Sequence, residues 1–455
     1  MESLITILPL LMFPLLAVLL FTGYPVAFVL AGVAMIFGFI GMALGVFEFE
    51  QFFSIVLRIH GSNVNNLLLV AIPMFIFMGT MLEKSGVAGK LLDALQVLTR
   101  RIPGGLALSV MLLGVVMAAS TGIIGASVVL MTLLALPPML KRGYDPALAT
   151  GTIVSSGTLG ILIPPSIMLV IMGNLLSISV GTLFMAAIIP GLMLAVFYMI
   201  YILTTATLNP ERAPAMPDEE GPKDLAALIA LLLKSFLPPL ALIVAVLGSI
   251  FAGYATPTEA SGVGAFGAVL LALFNGKLTL PIVKDVLERS ALTGAMLFGI
   301  FVTATAFSFV FAFLGGHELI SQFVNGMDMG SWGILLILMA IVFLLGFFLD
   351  WIQITLIVLP IFAPIVGMMD FGDHVAAGML LPWFAIMVAV NLQTSFLTPP
   401  FGFALFYLKG VAPKSIKIQQ IYRGVIPFVL LQLLGLALIA AFPEIALWLP
   451  ERLLD

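Results

Sequence analysis

The chain has 455 residues, of which 62% are hydrophobic and only 9% are charged, with a formal net charge of -4 and a mean hydropathy of +1.25. Such a composition excludes an ordinary soluble domain and predicts an all-α protein that crosses the membrane several times. The absence of cysteine excludes disulfides, a thiolate nucleophile and cysteine-ligated metals. The lipid bilayer is therefore an expected partner, and no feature of the sequence points to nucleic acid.

Short loops separate the apolar segments, which follow one another along the whole chain. Hydropathy places them at about residues 4–21, 25–47, 67–82, 106–119, 122–140, 147–176, 180–208, 225–252, 260–274, 291–314, 334–369, 376–408 and 421–449. A spanning helix needs roughly 20 apolar residues, and several segments are too short or too rich in glycine and proline. These segments predict re-entrant hairpins, whose irregular backbone must be covered by protein or line a water-filled cavity.

One polar, proline-rich linker divides the chain into two halves. We predict N-terminal scaffold helices at 1–66, a first repeat with a hairpin and a broken helix at 67–208, the linker at 209–224, scaffold helices at 225–290, a second repeat with a hairpin and a broken helix at 291–420, and a C-terminal helix at 421–455. Basic clusters around residues 84–101, 141–142, 284–289 and 409–423 indicate cytoplasmic helix ends.

Hydroxyl groups and glycines interrupt an apolar run at residues 119–127. Glycine lets the backbone turn, while hydroxyl and freed carbonyl oxygens are ligands suited to Na⁺. Close packing of helices through small residues would explain the same composition. The hairpin tip is favoured because a proline break follows downstream.

Two double prolines, Pro164-Pro165 and Pro399-Pro400, lie in similar uncharged surroundings. Proline removes a backbone donor and clashes with the preceding turn, so freed carbonyls can bind a cation and a half-helix N-terminus can hold a carboxylate. A proline-kinked spanning helix is the alternative. Broken helices at matching positions of two halves point to the site of a secondary transporter. The polar residues before the prolines are candidates for substrate binding, namely Ser155, Ser156, Asn391, Gln393 and Thr394.

The two halves also match each other as a weak internal repeat. Pro164-Pro165 corresponds to Pro399-Pro400, 235 residues later, and Pro137 corresponds to Pro360, 223 residues later. In the second register Ser127 corresponds to Asp350. Repeats of inverted topology are built in this way. A carboxylate at membrane depth is costly, so Asp350 is a candidate for ion or proton coupling, with a structural contact at a hairpin tip as the equal alternative.

The segment Thr256-Pro257-Thr258-Glu259 predicts a helix start rather than an acidic site. Threonine at the N-cap, proline at the first position and glutamate at the third form a capping box. Elsewhere the sequence contains no P-loop, no H-E-x-x-H and no G-x-S-x-G motif. We therefore expect a transporter that uses an ion gradient and not ATP, and not an enzyme.

Several short segments, in this order, resemble the DctM-like large membrane subunit of tripartite ATP-independent periplasmic (TRAP) transporters. They are residues 72–79, 83–88, 143–145, 160–166, 256–260 and 391 with 398–402. The resemblance implies an elevator-type carrier of the bacterial inner membrane with two inverted repeats, re-entrant hairpins and broken helices. It also implies Na⁺-coupled import of an organic acid, such as a C4-dicarboxylate, a periplasmic solute-binding protein and a small four-helix membrane subunit.

The resemblance further implies two Na⁺ sites. The first maps onto Thr121, Gly160, Ile163 and Pro165, and the second onto Gly346, Ser395, Thr398 and Pro400, with Asp350 nearby. Two other functions remain as alternatives at this point: a stand-alone Na⁺/anion symporter of the divalent-anion type, and the membrane subunit of a Na⁺-pumping decarboxylase complex.

Overall fold

The computed structural model describes residues 2–121, 124–215, 225–326, 329–398 and 402–454. Within these ranges the chain forms helices joined by short loops and contains no β-strand. Nine of these described helices are long and apolar enough to cross a membrane. The expected all-α, multi-spanning fold is thus confirmed.

The helices are numbered in chain order. The first ten are α1 (Glu2–Leu20), α2 (Val26–Ala43), α3 (Phe49–Ile59), α4 (Ala71–Lys84), α5 (Val87–Thr99), α6 (Gly105–Thr121), α7 (Ile124–Lys141), α8 (Pro146–Thr158), α9 (Ile167–Leu176) and α10 (Val180–Leu208). The remaining ten are α11 (Leu225–Phe251), α12 (Pro257–Phe274), α13 (Leu280–Phe313), α14 (Gly316–Gly326), α15 (Ser331–Leu345), α16 (Trp351–Gly367), α17 (Leu380–Leu397), α18 (Phe403–Val411), α19 (Ile418–Ala441) and α20 (Glu444–Leu454).

Polar contacts bring the basic helix ends together on one face. Lys84 at the end of α4 pairs with Asp285 in the first turns of α13, with 2.9 Å between Nζ and Oδ2. The Lys90 ammonium donates to Asn275 just after α12, at 2.6 Å. We name this the basic face, and the positive-inside rule predicts that it is cytoplasmic. The opposite side is named the distal face.

Helix α19 shows that the two proline-broken helices enter the protein from opposite faces. Gly151, near the start of α8, packs against Gly424, near the start of α19. The Trp383 indole, near the start of α17, donates to the carbonyl of Ile439, near the end of α19, at 2.8 Å. Fifteen residues of helix separate the two contacts on α19, or about 22 Å. Helices α8 and α17 therefore begin at opposite sides of the molecule.

The same order of elements occurs twice, in opposite orientation. The series α4–α10 consists of a spanning helix, an amphipathic helix, a pair of hairpin helices, a broken helix and a second spanning helix. The same series recurs as α13–α19. The hairpin helices are α6 with α7 and α15 with α16, and each pair is in contact. Helix α7 thus corresponds to α16, and the break between α8 and α9 corresponds to the break between α17 and α18, which is the pairing that the proline offsets predicted. The assignment of segments to a scaffold and a moving domain stays a prediction.

Several helices differ from the hydropathy-based expectation, namely α13 and the amphipathic helices α3, α5 and α14. Helix α13 begins at Leu280, eleven residues before the predicted segment at 291–314, because its first turns carry charged residues at the basic face. Helix α3 lies between two predicted segments and was missed because only one of its faces is apolar. Ile55, which is 9% exposed, is its most buried residue. Hydropathy averages over a window and misses both kinds of helix.

The predicted capping box at the start of α12 is confirmed. Thr256 lies at the N-cap, its hydroxyl accepts a hydrogen bond from the Glu259 amide at 3.3 Å, and the Thr256 amide donates to the Glu259 carboxylate at 2.8 Å. The Thr258 hydroxyl donates to the Leu67 carbonyl at 3.0 Å, so the capped end is fixed against the segment before α4.

Replacing Thr256 by alanine should lower the stability of the purified chain by about 1 kcal/mol, the usual cost of losing an N-cap side chain. Thr204→Ala is the matched control, since its hydroxyl is exposed and bonds only within α10. Thermal unfolding in detergent measures both variants. Equal transition temperatures for Thr256→Ala and Thr204→Ala would show that the cap carries no stability.

Candidate functional site

The first double proline ends α8 in the middle of the fold. A single 3₁₀ turn, Leu159–Ile161, follows α8, and α9 begins only at Ile167. In a continuous helix the carbonyls of Gly160 and Ile161 would accept from residues 164 and 165, which as prolines have no N–H. The Ser166 hydroxyl donates to the Ile161 carbonyl, which leaves the Gly160 carbonyl without its usual helical donor. The predicted break is confirmed.

The second break has the opposite direction and a comparable form. Helix α17 ends at Leu397, Thr398 has extended backbone angles, and α18 begins at Phe403. The Thr398 hydroxyl donates to the Thr394 carbonyl one turn earlier, at 2.5 Å, and the Gly402 amide donates to the Thr398 carbonyl at 3.1 Å. Pro400, assigned to the second Na⁺ site, lies outside the described residues.

The first hairpin packs on the first broken helix through small residues. A Cβ on Gly157 of α8 would meet the Val128 side chain of α7 at 2.5 Å, and a Cβ on Gly114 of α6 would meet the Ser156 side chain at 2.5 Å. Glycine is needed at both positions for this close approach. Thr121, a predicted ligand, is the last residue of α6, and the tip residues 122–123 lie outside the described part of the chain.

The second hairpin tip contacts the second broken helix directly. Gly346, which follows α15, lies so close to Ser395 of α17 that a Cβ on the glycine would overlap the serine side chain. Ser395 is 4% exposed, and its hydroxyl has no hydrogen-bond partner among the described residues. Two residues that were assigned to one Na⁺ site are thus neighbours, and one of them offers an unused oxygen.

Asp350 is the N-cap of α16 at the same hairpin tip. Its carboxylate accepts from the Trp351 amide at 2.8 Å, and its own amide donates to the Gln353 side chain at 3.3 Å. The carboxylate therefore stabilises the start of the helix. It also lines two cavities, so the structural contact and the role in coupling are compatible.

A cavity of about 120 Å³ lies where both hairpin tips and both breaks converge. Its walls come from the starts of α7, α9 and α16, the end of α17, helix α18, and α13. The lining residues are Ile124, Gly125, Ile167, Thr293, Met296, Leu297, Asp350, Trp351, Ile352, Phe396 and Tyr407. We name it the central cavity. A larger cavity of about 700 Å³ adjoins it, since Met296, Asp350 and Ile352 line both.

The five predicted substrate residues lie inside the broken helices and not among the lining residues of the central cavity. Ser156 and Thr394 donate to carbonyls of their own helices, and Asn391 donates to the Met339 carbonyl at 2.7 Å. The Ser155 hydroxyl and the Gln393 amide are fully buried and have no partner in the described structure. Buried polar groups without partners are rare and suggest bound water or a ligand nearby.

Sequence reasoning missed the contribution of α13 and α18 to the site. Thr293 and Met296 come from α13, and Tyr407 comes from α18, where its ring lies 3.1 Å from the position of a Cβ on Gly125. None of these residues stands in a recognisable motif. The glycine-rich first tip was the available signal, because a glycine there permits close contact with an aromatic ring.

The fold and the site define a class: a membrane transporter in which two inverted copies of a hairpin and a broken helix enclose one central cavity. Residues 13–445 match the family model described as "Tripartite ATP-independent periplasmic transporter, DctM component". The chain belongs to this family. It is thus a transporter and not an enzyme, and it is the DctM component of a three-part system.

Two curated relatives cover most of the chain. The C4-dicarboxylate TRAP transporter large permease protein DctM of Pseudomonas aeruginosa is 32% identical over 387 residues, covering 85% of this chain and 86% of its own length. The ectoine TRAP transporter large permease protein TeaC of Halomonas elongata is 29% identical, covering 95% and 96%. The crystal structure of the Alcanivorax borkumensis YdaH transporter, with 13% identity, a TM-score of 0.61 and 89% of each chain covered, has a similar fold.

Proposed function

We propose that this chain is the permease through which a small carboxylate is imported across the bacterial inner membrane, driven by Na⁺. A periplasmic solute-binding protein delivers the substrate and a small four-helix membrane subunit braces the permease. The convergence of both hairpin tips and both helix breaks on the central cavity carries this proposal. The family match supports neither a stand-alone symporter nor a decarboxylase subunit.

Oxygen atoms at the two breaks support Na⁺ as the coupling ion. At the second break the unpartnered Ser395 hydroxyl faces the backbone of Gly346 at the hairpin tip. At the first break, prolines deprive the Gly160 carbonyl of its usual donor, and Ile163 and Pro165 add further non-helical carbonyls. Neutral oxygens of hydroxyls and backbone carbonyls are the ligands with which discontinuous transporter helices bind Na⁺.

The proposed substrate class is supported by the chemistry of the substrates named for the two relatives above. C4-dicarboxylates and ectoine differ in size and net charge, but each carries a carboxylate group. A C4-dicarboxylate has a size comparable to the central cavity of about 120 Å³. The nearby Asp350 carboxylate would repel an anion, so a bound cation is needed to balance the charge.

An elevator movement accounts for the position of the cavity. Its walls include α13 on one side and the hairpins with their broken helices on the other. Movement of the hairpin unit past α13 would carry the central cavity from one face to the other. This movement needs no ATP, since the Na⁺ gradient supplies the free energy.

Reconstitution into liposomes tests the proposed function. The permease, the small subunit and the binding protein together should accumulate radiolabelled substrate only when a Na⁺ gradient is imposed. Omission of the binding protein should abolish accumulation. Uptake by the permease alone would identify a stand-alone symporter instead.

Replacing Thr398 by leucine should raise the Na⁺ concentration that gives half-maximal uptake, because the bulky side chain disturbs the backbone at the second break. Thr207→Leu is the matched control, since its hydroxyl makes the same bond to the carbonyl four residues earlier, at an exposed position near the end of α10. The measurement is initial uptake against Na⁺ concentration at equal amounts of protein. A Thr398→Leu curve that overlies the control would argue against the second Na⁺ site.

A further inference from the structure

A third cavity, of about 460 Å³, lies between α3, α9, α13 and α16. Its lining residues include the polar side chains of Arg58, Ser62, Asn63, Asn66, Asn174, Ser177, Thr305 and Ser308. We name it the arginine cavity. A π-helix, His60–Val64, follows α3 and contributes Ser62 and Asn63. Such π-helical turns are rare and frequently occur at functional sites.

Side-chain hydrogen bonds connect the walls of the arginine cavity. The Asn63 amide donates to the Thr305 hydroxyl of α13 at 3.1 Å, and Asn66 donates to Asn174 at the end of α9. Asn63 is 8% exposed, so its position is fixed by packing as well as by the bond. The cavity is therefore a defined pocket whose walls combine neutral polar and apolar side chains, with Arg58 as the one charged lining residue.

The arginine cavity lies between the central cavity and the distal face. Three helices line both cavities, and each runs toward the distal face. Helix α9 contributes Ile167 to the central cavity and Asn174 to the arginine cavity, whereas α13 contributes Leu297 and then Thr305. Seven or eight residues of helix correspond to about 10–12 Å. Helix α16 follows the same order, with Ile352 before Leu356.

Arg58 is an exposed residue that is set apart by its location. Among the described lysines and arginines, all but Arg58 and Arg452 lie in the half of the protein that carries the basic face. Arg452 belongs to the C-terminal helix α20. The Arg58 guanidinium has no ion pair within the described ranges, and the arginine cavity has no acidic lining residue. A guanidinium is suited to bind a carboxylate through two parallel hydrogen bonds.

We propose that the arginine cavity is an arrival site, in which Arg58 binds the carboxylate of the incoming substrate before the substrate moves to the central cavity. The proposal rests on import of a carboxylate from the distal side. The central cavity carries the negative charge of Asp350 and the arginine cavity a positive charge, so an anion meets attraction first and needs Na⁺ only at the second step.

A cysteine placed in the arginine cavity can report its electrostatic potential without any transport. The chain has no cysteine, so Ser308→Cys introduces a unique thiol into the wall. The measured quantity is the ratio of two reaction rates, that of the anionic reagent 2-sulfonatoethyl methanethiosulfonate to that of its cationic trimethylammonium analogue. We expect this ratio to be higher when Arg58 is present. Adding Arg58→Gln should lower this rate ratio about fivefold. Arg452→Gln in the same background is the matched control and should leave the ratio unchanged.

Uptake by the reconstituted three-part complex is the second readout. Arg58→Gln should raise the concentration of loaded binding protein at half-maximal uptake about tenfold, with little change in the maximal rate or in Na⁺ dependence. Arg58→Lys should restore part of the loss, because it keeps the charge but not the two parallel bonds.

The outcomes separate this proposal from the proposed function. Equal rate ratios with and without Arg58 would overturn the arrival site, even in a complex that transports normally. Weaker binding of the ligand-free binding protein to Arg58→Gln would also overturn it, since Arg58 would then be a docking contact. Failure of the wild-type complex to transport a carboxylate would instead refute the proposed function, while the thiol rates would still report the anion preference.

Discussion

Alanine in place of Gly151 or Gly424 is expected to destabilise the folded chain by about 1–3 kcal/mol. A Cβ on Gly151 would overlap the Gly424 carbonyl, and a Cβ on Gly424 would overlap the Ala147 carbonyl. Backbone atoms cannot rotate away, so α8 and α19 must separate. A loss of stability would be informative, because replacing glycine by alanine inside a helix normally raises stability by about 1 kcal/mol. The thermal transition in detergent measures the effect.

Gly248→Ala is the matched control for this prediction. Gly248 lies within the spanning helix α11, and a Cβ there would meet no atom within 4 Å. It should therefore keep or slightly raise the transition temperature. Three variants with the same transition temperature would contradict the close contact between α8 and α19, and with it the opposite entry of the two broken helices.

Gly346→Ala should raise the Na⁺ concentration for half-maximal uptake about ten- to a hundredfold. The added methyl group would overlap the Ser395 side chain and push the hairpin tip away from the broken helix. A hydrogen-bond-type contact to a charged group contributes about 1.5–3 kcal/mol, and about 1.4 kcal/mol corresponds to a tenfold change. Initial uptake as a function of Na⁺ concentration gives the value.

Two further variants distinguish lost space from a lost oxygen. Ser395→Ala keeps the shape of the contact but removes the hydroxyl, so it should reproduce the Na⁺ effect without loss of protein. Gly367→Ala, at the other end of α16, adds the same methyl group where no atom lies within 4 Å, and it should behave as wild type. Wild-type Na⁺ dependence in both Gly346→Ala and Ser395→Ala would remove Ser395 from the site.

The architecture could be derived from the sequence because proline and charge act locally. The breaks after Thr158 and Leu397 were predicted from double prolines that follow polar residues. A double proline alone does not end a helix, since Pro137-Pro138 lies inside α7 and Pro238-Pro239 inside α11. The capping box at Thr256 is equally local. The inversion of the repeats needed the structure, since it depends on which ends of α8 and α17 meet α19.

The site was harder to derive because it is formed by contacts between distant segments. Gly346 and Ser395 were paired through family resemblance, and the structure places them side by side. The substrate candidates Ser156, Asn391 and Thr394 followed from their polarity, but their hydroxyl and amide groups bond to nearby backbone carbonyls. Polarity in sequence cannot distinguish a ligand from a satisfied helix residue. Met296 and Tyr407 line the central cavity through packing alone.

Coupled flux in liposomes that contain the three-part complex tests the central claim most directly. With an inward Na⁺ gradient, the carboxylate should accumulate inside together with ²²Na⁺, and an ionophore that collapses the Na⁺ gradient should release it. Ser395→Ala should weaken both fluxes in parallel. Accumulation that proceeds equally with a K⁺ gradient, or without ²²Na⁺ entry, would contradict the claim that the two broken helices bind Na⁺ to drive import.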